Sequence, residues 1–169
     1  MELKEYIRTE LAGLERAIKR VTDSLTQQEL MWRPSSGSNS IGLILFHIAR
    51  LEDSFIKTRI QNKPAIWETE KWYEKLKLVE NEEGAHYTVD QVNAFPVPDK
   101  EGLLAFYSAV HAQTKECFDG LTSEELDRKV TMPRGDAAIA SLFSFIVSHA
   151  TGHIGEMSYL RGLQRGMDK

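Results

Sequence analysis

Apolar residues in this chain return in alternating steps of four and three, and they do so in four separate segments. Near the N-terminus the stripe is Leu3, Ile7, Leu11, Leu14, Ile18, Val21, Leu25. A second runs Ile41, Ile44, Ile48, Leu51, Phe55, with Pro64 soon after it. A third runs Leu103, Tyr107, Val110, Thr114, Cys117, Leu121, with Asp99 placed to cap its start and Gly120 to stop it. This spacing turns one face of a helix toward partners, as in bundle packing. It predicts an all-α fold, a four-helix bundle taking up residues 1–169 as one domain.

The fourth stripe departs from the apolar rule. It reads Leu142, Ile146, His149, His153, Glu156, Leu160, with Met157 beside Glu156. Gly162 and Gly166 then weaken the helix toward the C-terminus. Burying imidazoles in a packing seam costs energy unless each finds a partner. His149 and His153 stand four apart, which on a helix puts both rings on one face about one turn apart. Two nitrogens so placed can reach one ion at roughly 2 Å. A third ligand must come from a facing element, and His47 is the candidate, at the edge of the inward Ile44–Ile48–Leu51 face. Three neutral imidazoles suit zinc, nickel, cobalt, copper or iron, and suit magnesium or calcium poorly. Three protein ligands also leave coordination positions for water or substrate, the catalytic rather than the structural arrangement. The competing reading is three core-edge histidines, each satisfied by a carbonyl or hydroxyl.

Glu156 is the candidate catalytic residue. It can be a further ligand, a general base or an orienter of a ligand, against the plainer reading of a solvated carboxylate near the bundle end. His86 and His111 have no partner at metal-ligand spacing and read as structural or exposed, Cys117 as a small hydrophobe, and Glu52 and Asp53 as solvated.

Two segments echo each other as D-x-L-T-x-x-E-L: Asp23 to Leu30 and Asp119 to Leu126. In each, Thr followed three residues later by Glu is a capping box for a short helical turn. Each closes a long helix and precedes a histidine-bearing one, which predicts two helix–turn–helix halves facing each other. Between them lies Gln61 to Pro98, with Trp67, Trp72 and Tyr73 and a further capping box from Thr88 to Gln91. A stretch with tryptophans is a structured crossover rather than a linker. Trp67 and Trp72 are candidate cofactor-binding residues, a lid over an open metal position; the alternative is that they plug the core.

Composition limits the functions. The net charge is -4 and no Lys/Arg-rich stripe exists, which excludes general nucleic-acid binding. Hydrophobic residues make up 41%, yet the longest apolar runs, around Ile41–Ile48 and Ile139–Val147, are too short for a membrane span, and the first residues lack a signal-peptide h-region. Cytoplasmic location is therefore expected, and a lone cysteine agrees with it. No G-x-S-x-G, P-loop or dinucleotide fingerprint occurs.

At Leu25-Thr26 leading to Leu30-x-Trp32-Arg33-Pro34, then Ser40-Ile41-Gly42 and His47, and at His149-x-x-x-His153-Ile154-Gly155, the chain resembles the DinB-like family, to which bacillithiol-type S-transferases and mycothiol-dependent isomerase domains belong. The resemblance spans nearly the whole chain. It implies an up-down-down-up bundle, with the long crossover between the second and third long helices. It implies a nickel- or zinc-type ion on His47, His149 and His153, a low-molecular-weight thiol cofactor, and a homodimer. Relatives commonly carry Gln where this chain has Glu156, which bears on local charge and mechanism. The leading expectation is a metal-dependent thiol S-transferase acting on a small electrophilic molecule. A metal-dependent hydrolase and a non-catalytic metal-binding stress-response dimer stand as alternatives.

Overall fold

The computed structural model describes residues 2–133 and 135–166. Nine helices occur among them: α1 (Leu3–Thr22), α2 (Gln27–Met31), α3 (Ile41–Asp53), α4 (Ile66–Thr69), α5 (Trp72–Lys75), α6 (Val89–Ala94), α7 (Lys100–Gly120), α8 (Ser123–Asp127) and α9 (Ile139–Arg165). Four are long, and they form the bundle. A two-residue antiparallel pairing of Lys129–Val130 with Ala137–Ala138, which the helical periodicity did not announce, joins α8 to α9.

Local chemistry sets the helix ends. Thr26, Thr88 and Thr122 each accept a bond from the amide three residues on, and Glu29, Gln91 and Glu125 reach back, so all three expected capping boxes form. Asp99 caps α7, which ends at Gly120. Gly162 does not stop α9; Gly166 does, at φ +79°, with its amide on the Gly162 carbonyl at 2.8 Å. Beyond Asp53, α3 continues as a widened π-helical segment, Ser54–Ile60, where Gln61 donates to Ile56 five residues back at 3.1 Å.

Contacts between helices give their directions. Arg161 of α9 donates to the Arg20 and Val21 carbonyls at the end of α1 (2.8 and 3.0 Å), so α1 and α9 run parallel. Arg8 near the start of α1 pairs with Asp119 near the end of α7 (2.9 Å), so those two are antiparallel. Phe46 meets Phe106 and Glu52 meets His111, making α3 parallel to α7, while His47 meets His149 and Phe55 meets Phe145, making α3 antiparallel to α9. The order is up, down, down, up. The main packing pairs are α1 with α9 and α7, and α3 with α7 and α9, so α1 and α3 stand on one diagonal and α7 and α9 on the other.

The core is continuous from Ile7 to Leu160. Leu3, first of the expected stripe, is 55% exposed and lies outside it. Trp67 sits fully buried between Phe46 (5.5 Å between ring centroids) and Phe106 (5.5 Å), with its indole N–H on the Glu80 carbonyl (2.8 Å). Trp72 packs on Phe106 at 5.3 Å. Such aromatic rings each contribute roughly 2–3 kcal/mol by burial, which ties the crossover to α3 and α7.

Glu52 and Asp53 are both about 1% exposed, not solvated. Asp53 accepts the Ile66 and Trp67 amides (3.0 Å each), meeting the free donors at the start of α4. Glu52 pairs with His111 at 2.9 Å, and the other His111 nitrogen donates to the Leu11 carbonyl at 3.0 Å. Burial disfavours the His111 imidazolium, but the Glu52 carboxylate outweighs this, so His111 titrates above the ordinary histidine value.

Candidate metal centre

Three imidazoles meet where α3 crosses α9. His47 Nε2 lies 3.0 Å from His149 Nε2, and His153 Nε2 lies 3.2 Å from the same atom. The rings lie 4.4–4.9 Å apart between centroids. The four-residue spacing on α9 brings two rings to one face, and the antiparallel run of α3 brings the third opposite them. One donor nitrogen from each lies within 4.8 Å of the other two.

The outer nitrogens decide what the inner ones present. His47 Nδ1 lies 2.7 Å from the Gly84 carbonyl, which can only accept, so the proton sits on Nδ1 and Nε2 carries a lone pair. His153 Nδ1 lies 2.8 Å from the Glu156 carboxylate, with the same result. Two lone pairs therefore point at His149 Nε2. A single N–H on His149 serves one of them and leaves the other facing nitrogen. A cation at the centre satisfies all three. With metal–nitrogen bonds of about 2.0–2.1 Å, tetrahedral ligands stand about 3.3–3.4 Å apart, close to the spacing here. The donor set fits a divalent transition metal.

Burial favours the ligand form. It pushes His149 down to about 4, helped by repulsion from His153 and His47. It pushes His47 down as well, against the opposing pull of the Gly84 carbonyl. Neutral imidazoles are the metal-binding form.

The other sequence candidates fall differently. Glu156 is 55% exposed in its side chain and bonds the outward nitrogen of His153, so of the roles open to it, orienting a ligand is the one its position supports. Trp67 and Trp72 belong to the core described above, and neither lines the cavity beside the triad. They do not form the expected lid, because they pack into the core, Trp67 on Phe46 and Phe106 and Trp72 on Phe106.

That cavity, of about 270 Å³, is bounded by His47, His153, Ile44, Gly84, His86 and Tyr87 among others. His86, expected to be structural or exposed, is exposed and borders the cavity without joining the triad. It adopts φ +58°, a left-handed conformation costing a non-glycine residue about 1 kcal/mol or more, on the loop that also carries Gly84. It also borders a second, larger cavity of about 680 Å³, lined by Phe55, Arg59, Met132, Asp136, Leu142 and Phe145. No spacing rule links position 86 to 47 or 153; the loop fold alone brings it there. The remaining histidine, His111, is held by Glu52 and Leu11 in the core.

Among the described residues, no helix is long and apolar enough to cross a membrane. No curated protein matches the chain. A solved structure of a conserved protein from Enterococcus faecalis is similar over 99% of both chains, at 21% identity and a TM-score of 0.86. YfiT from Bacillus subtilis, described as a probable metal-dependent hydrolase with an unusual four-helix bundle topology, is similar over 98% of this chain and 89% of its own, at 17% identity and a TM-score of 0.65. Both share the fold. The profile of the DinB superfamily matches residues 10–157, a span holding all four long helices in large part and all three histidines, and the chain belongs to that superfamily.

Proposed function

We propose that His47, His149 and His153 hold one divalent ion, nickel or zinc, and that the protein is an enzyme transferring a low-molecular-weight thiol to a small electrophilic substrate. The observation that carries this reading is the paired space beside the triad, cavities of about 270 and 680 Å³ sharing His86 as a common wall. Hydrolysis needs room for a water and one substrate, whereas thiol transfer must hold a thiol and an electrophile side by side, which two adjoining cavities suit. An ion bound there supplies Lewis-acid chemistry, making a coordinated thiol or water acidic enough to act as a nucleophile at neutral pH. The chain's own residues do the rest. Gly84 and Glu156 hold the outer nitrogens of His47 and His153, keeping the inner lone pairs convergent. Glu156, on the outward side of His153, acts through that ligand's orientation.

The test is elemental analysis of untagged protein, then a screen of thiols with electrophiles on metal-loaded protein. Thiol-dependent conjugation that vanishes in His149→Ala supports the reading. Turnover of esters or amides without thiol supports the second reading instead, a metal-dependent hydrolase, favoured by the description of YfiT. A non-catalytic sensor calls for a closed site, and the open cavities weigh against it.

A homodimer is part of the proposal. The outer face of α9 is left bare by Gly152, Gly155 and Gly162, with Tyr159 68% and Leu163 50% exposed beside them, and a second copy would cover it. Sedimentation equilibrium on Tyr159→Glu, expected to be monomeric, tests this.

A further inference from the structure

The larger cavity has a composition of its own. Its floor is an aromatic shelf: Phe55 and Phe145 stack with centroids 5.1 Å apart and planes 20° apart, and Phe145 remains 43% exposed. The shelf adjoins the triad, since the Phe145 ring lies 5.5 Å from the His149 ring. Met132 and Leu142 extend the apolar wall.

The rim carries charge. Arg59 is exposed, borders the cavity, and forms no ion pair among the described residues. Asp136 borders it too and keeps its negative charge, its carboxylate accepting the Thr131 hydroxyl at 3.1 Å, so a ligand's carboxylate has to sit at the Arg59 end of the rim. The backbone makes this pairing of shelf and cation. Phe55 and Arg59 stand four residues apart in the π-helical segment Ser54–Ile60, a spacing that keeps both side chains on one side of the helix. There it puts a ring and a guanidinium on the wall of one cleft.

We propose that this cleft binds a flat aromatic group bearing a carboxylate, with the ring stacked on Phe145 and the carboxylate paired with Arg59. Aromatic stacking and a guanidinium–carboxylate pair are the two interactions these side chains offer. The proposal rests on the metal reading only for its purpose, which is to hold the second substrate against the triad; the binding itself needs no ion.

The test uses 2-naphthoate, followed by fluorescence and by amide shifts of residues 55, 59 and 145, on full-length protein with and without zinc. The neutral 2-naphthylmethanol and the cationic 2-naphthylmethylamine are the comparison ligands. The expected affinity order is carboxylate, then alcohol, then amine. Arg59→Gln, a surface change that leaves the fold intact, should weaken naphthoate about tenfold and remove its advantage over the alcohol. Phe145→Ser should weaken all three. Naphthoate binding in protein that takes up no metal supports the cleft while removing the metal reading. Bound metal without saturable naphthoate binding overturns the cleft and leaves the metal reading standing. Equal affinity for all three ligands, or no change in Arg59→Gln, also overturns it.

Discussion

His47 and Gly84, 37 residues apart, are joined by a 2.7 Å hydrogen bond from the imidazole to the glycine carbonyl. The bond depends on the glycine. Gly84 holds φ +75°, and a Cβ there would stand 2.9 Å from Cβ and Cγ of Arg50 and 3.3 Å from the Phe46 ring. Gly84→Ala should therefore cost about 1–3 kcal/mol and, by moving the carbonyl, weaken metal binding roughly tenfold or more. Thermal melts and zinc titration of the variant check both effects; unchanged metal affinity would mean the carbonyl does not orient His47.

Ligand content follows from the triad. Wild-type protein should carry one ion per chain, and His149→Ala or His153→Ala should carry almost none. Glu156 separates orientation from charge. Glu156→Gln keeps an oxygen that can accept from His153 Nδ1–H and should retain the metal, whereas Glu156→Ala should lose about 10–100-fold in affinity. Elemental analysis and competition with a chromogenic chelator measure these. Equal metal content in wild type and both histidine variants would end the three-histidine assignment.

The acid response has a definite sign. His149 titrates at about 4 in the folded chain, while an unfolded histidine titrates near ~6.5. Between those values the unfolded state binds more protons, so stability rises with pH across the interval. The His149 contribution in metal-free protein should thus be complete above pH ~6.5 and be lost as pH falls toward about 4, while the raised His111 contributes with the opposite sign, losing stability as pH rises. His149→Gln should flatten that part of the profile. The metal-dependent gain in melting temperature should be complete at neutral pH and fade below pH ~6, as protons compete for the ligands. Melts at matched ionic strength test this; a holo–apo difference constant down to pH ~4 would exclude histidine ligands.

Asp53 anchors the crossover rather than the bundle. It accepts two amides at the start of α4, and Arg50 alongside it covers the Trp67 ring at 4.5 Å. Asp53→Ala leaves two buried donors unpaired and should cost about 2–5 kcal/mol. Asp53→Asn, which keeps one acceptor oxygen, should cost less. Urea unfolding midpoints of the two variants give the comparison.

What could be read from the chain was what local rules control. The threonine–glutamate pairs at Thr26 and Thr122 form capping boxes because both partners lie within one turn. The His149–His153 pair followed from helical pitch, and His47 from its place on the inward edge of α3. Glu52 and Asp53 were misjudged because the residues that satisfy them, His111 and the α4 amides, come from distant parts of the chain. Trp67 and Trp72 were placed over the site because polarity around them suggested a lid, while Phe46 and Phe106 make a better apolar home. His86 and the π-helical segment lay beyond periodicity altogether: one depends on a left-handed backbone, the other on a widened turn.

The diagonal placement of α1 against α3, and of α7 against α9, carries a kinetic consequence. Neither of the two short connections can seed a hairpin of adjacent helices, so the bundle is not assembled by zipping neighbours. The α1–α9 seam must close a loop of well over a hundred residues, as the Arg161–Arg20 bond spans 141 positions. Ring closure of that size is paid before the contacts reward it, which slows folding relative to an up-and-down bundle of equal stability. Two of the three histidines, His149 and His153, ride on α9. The three-histidine set is therefore complete only once α9 has docked against α3.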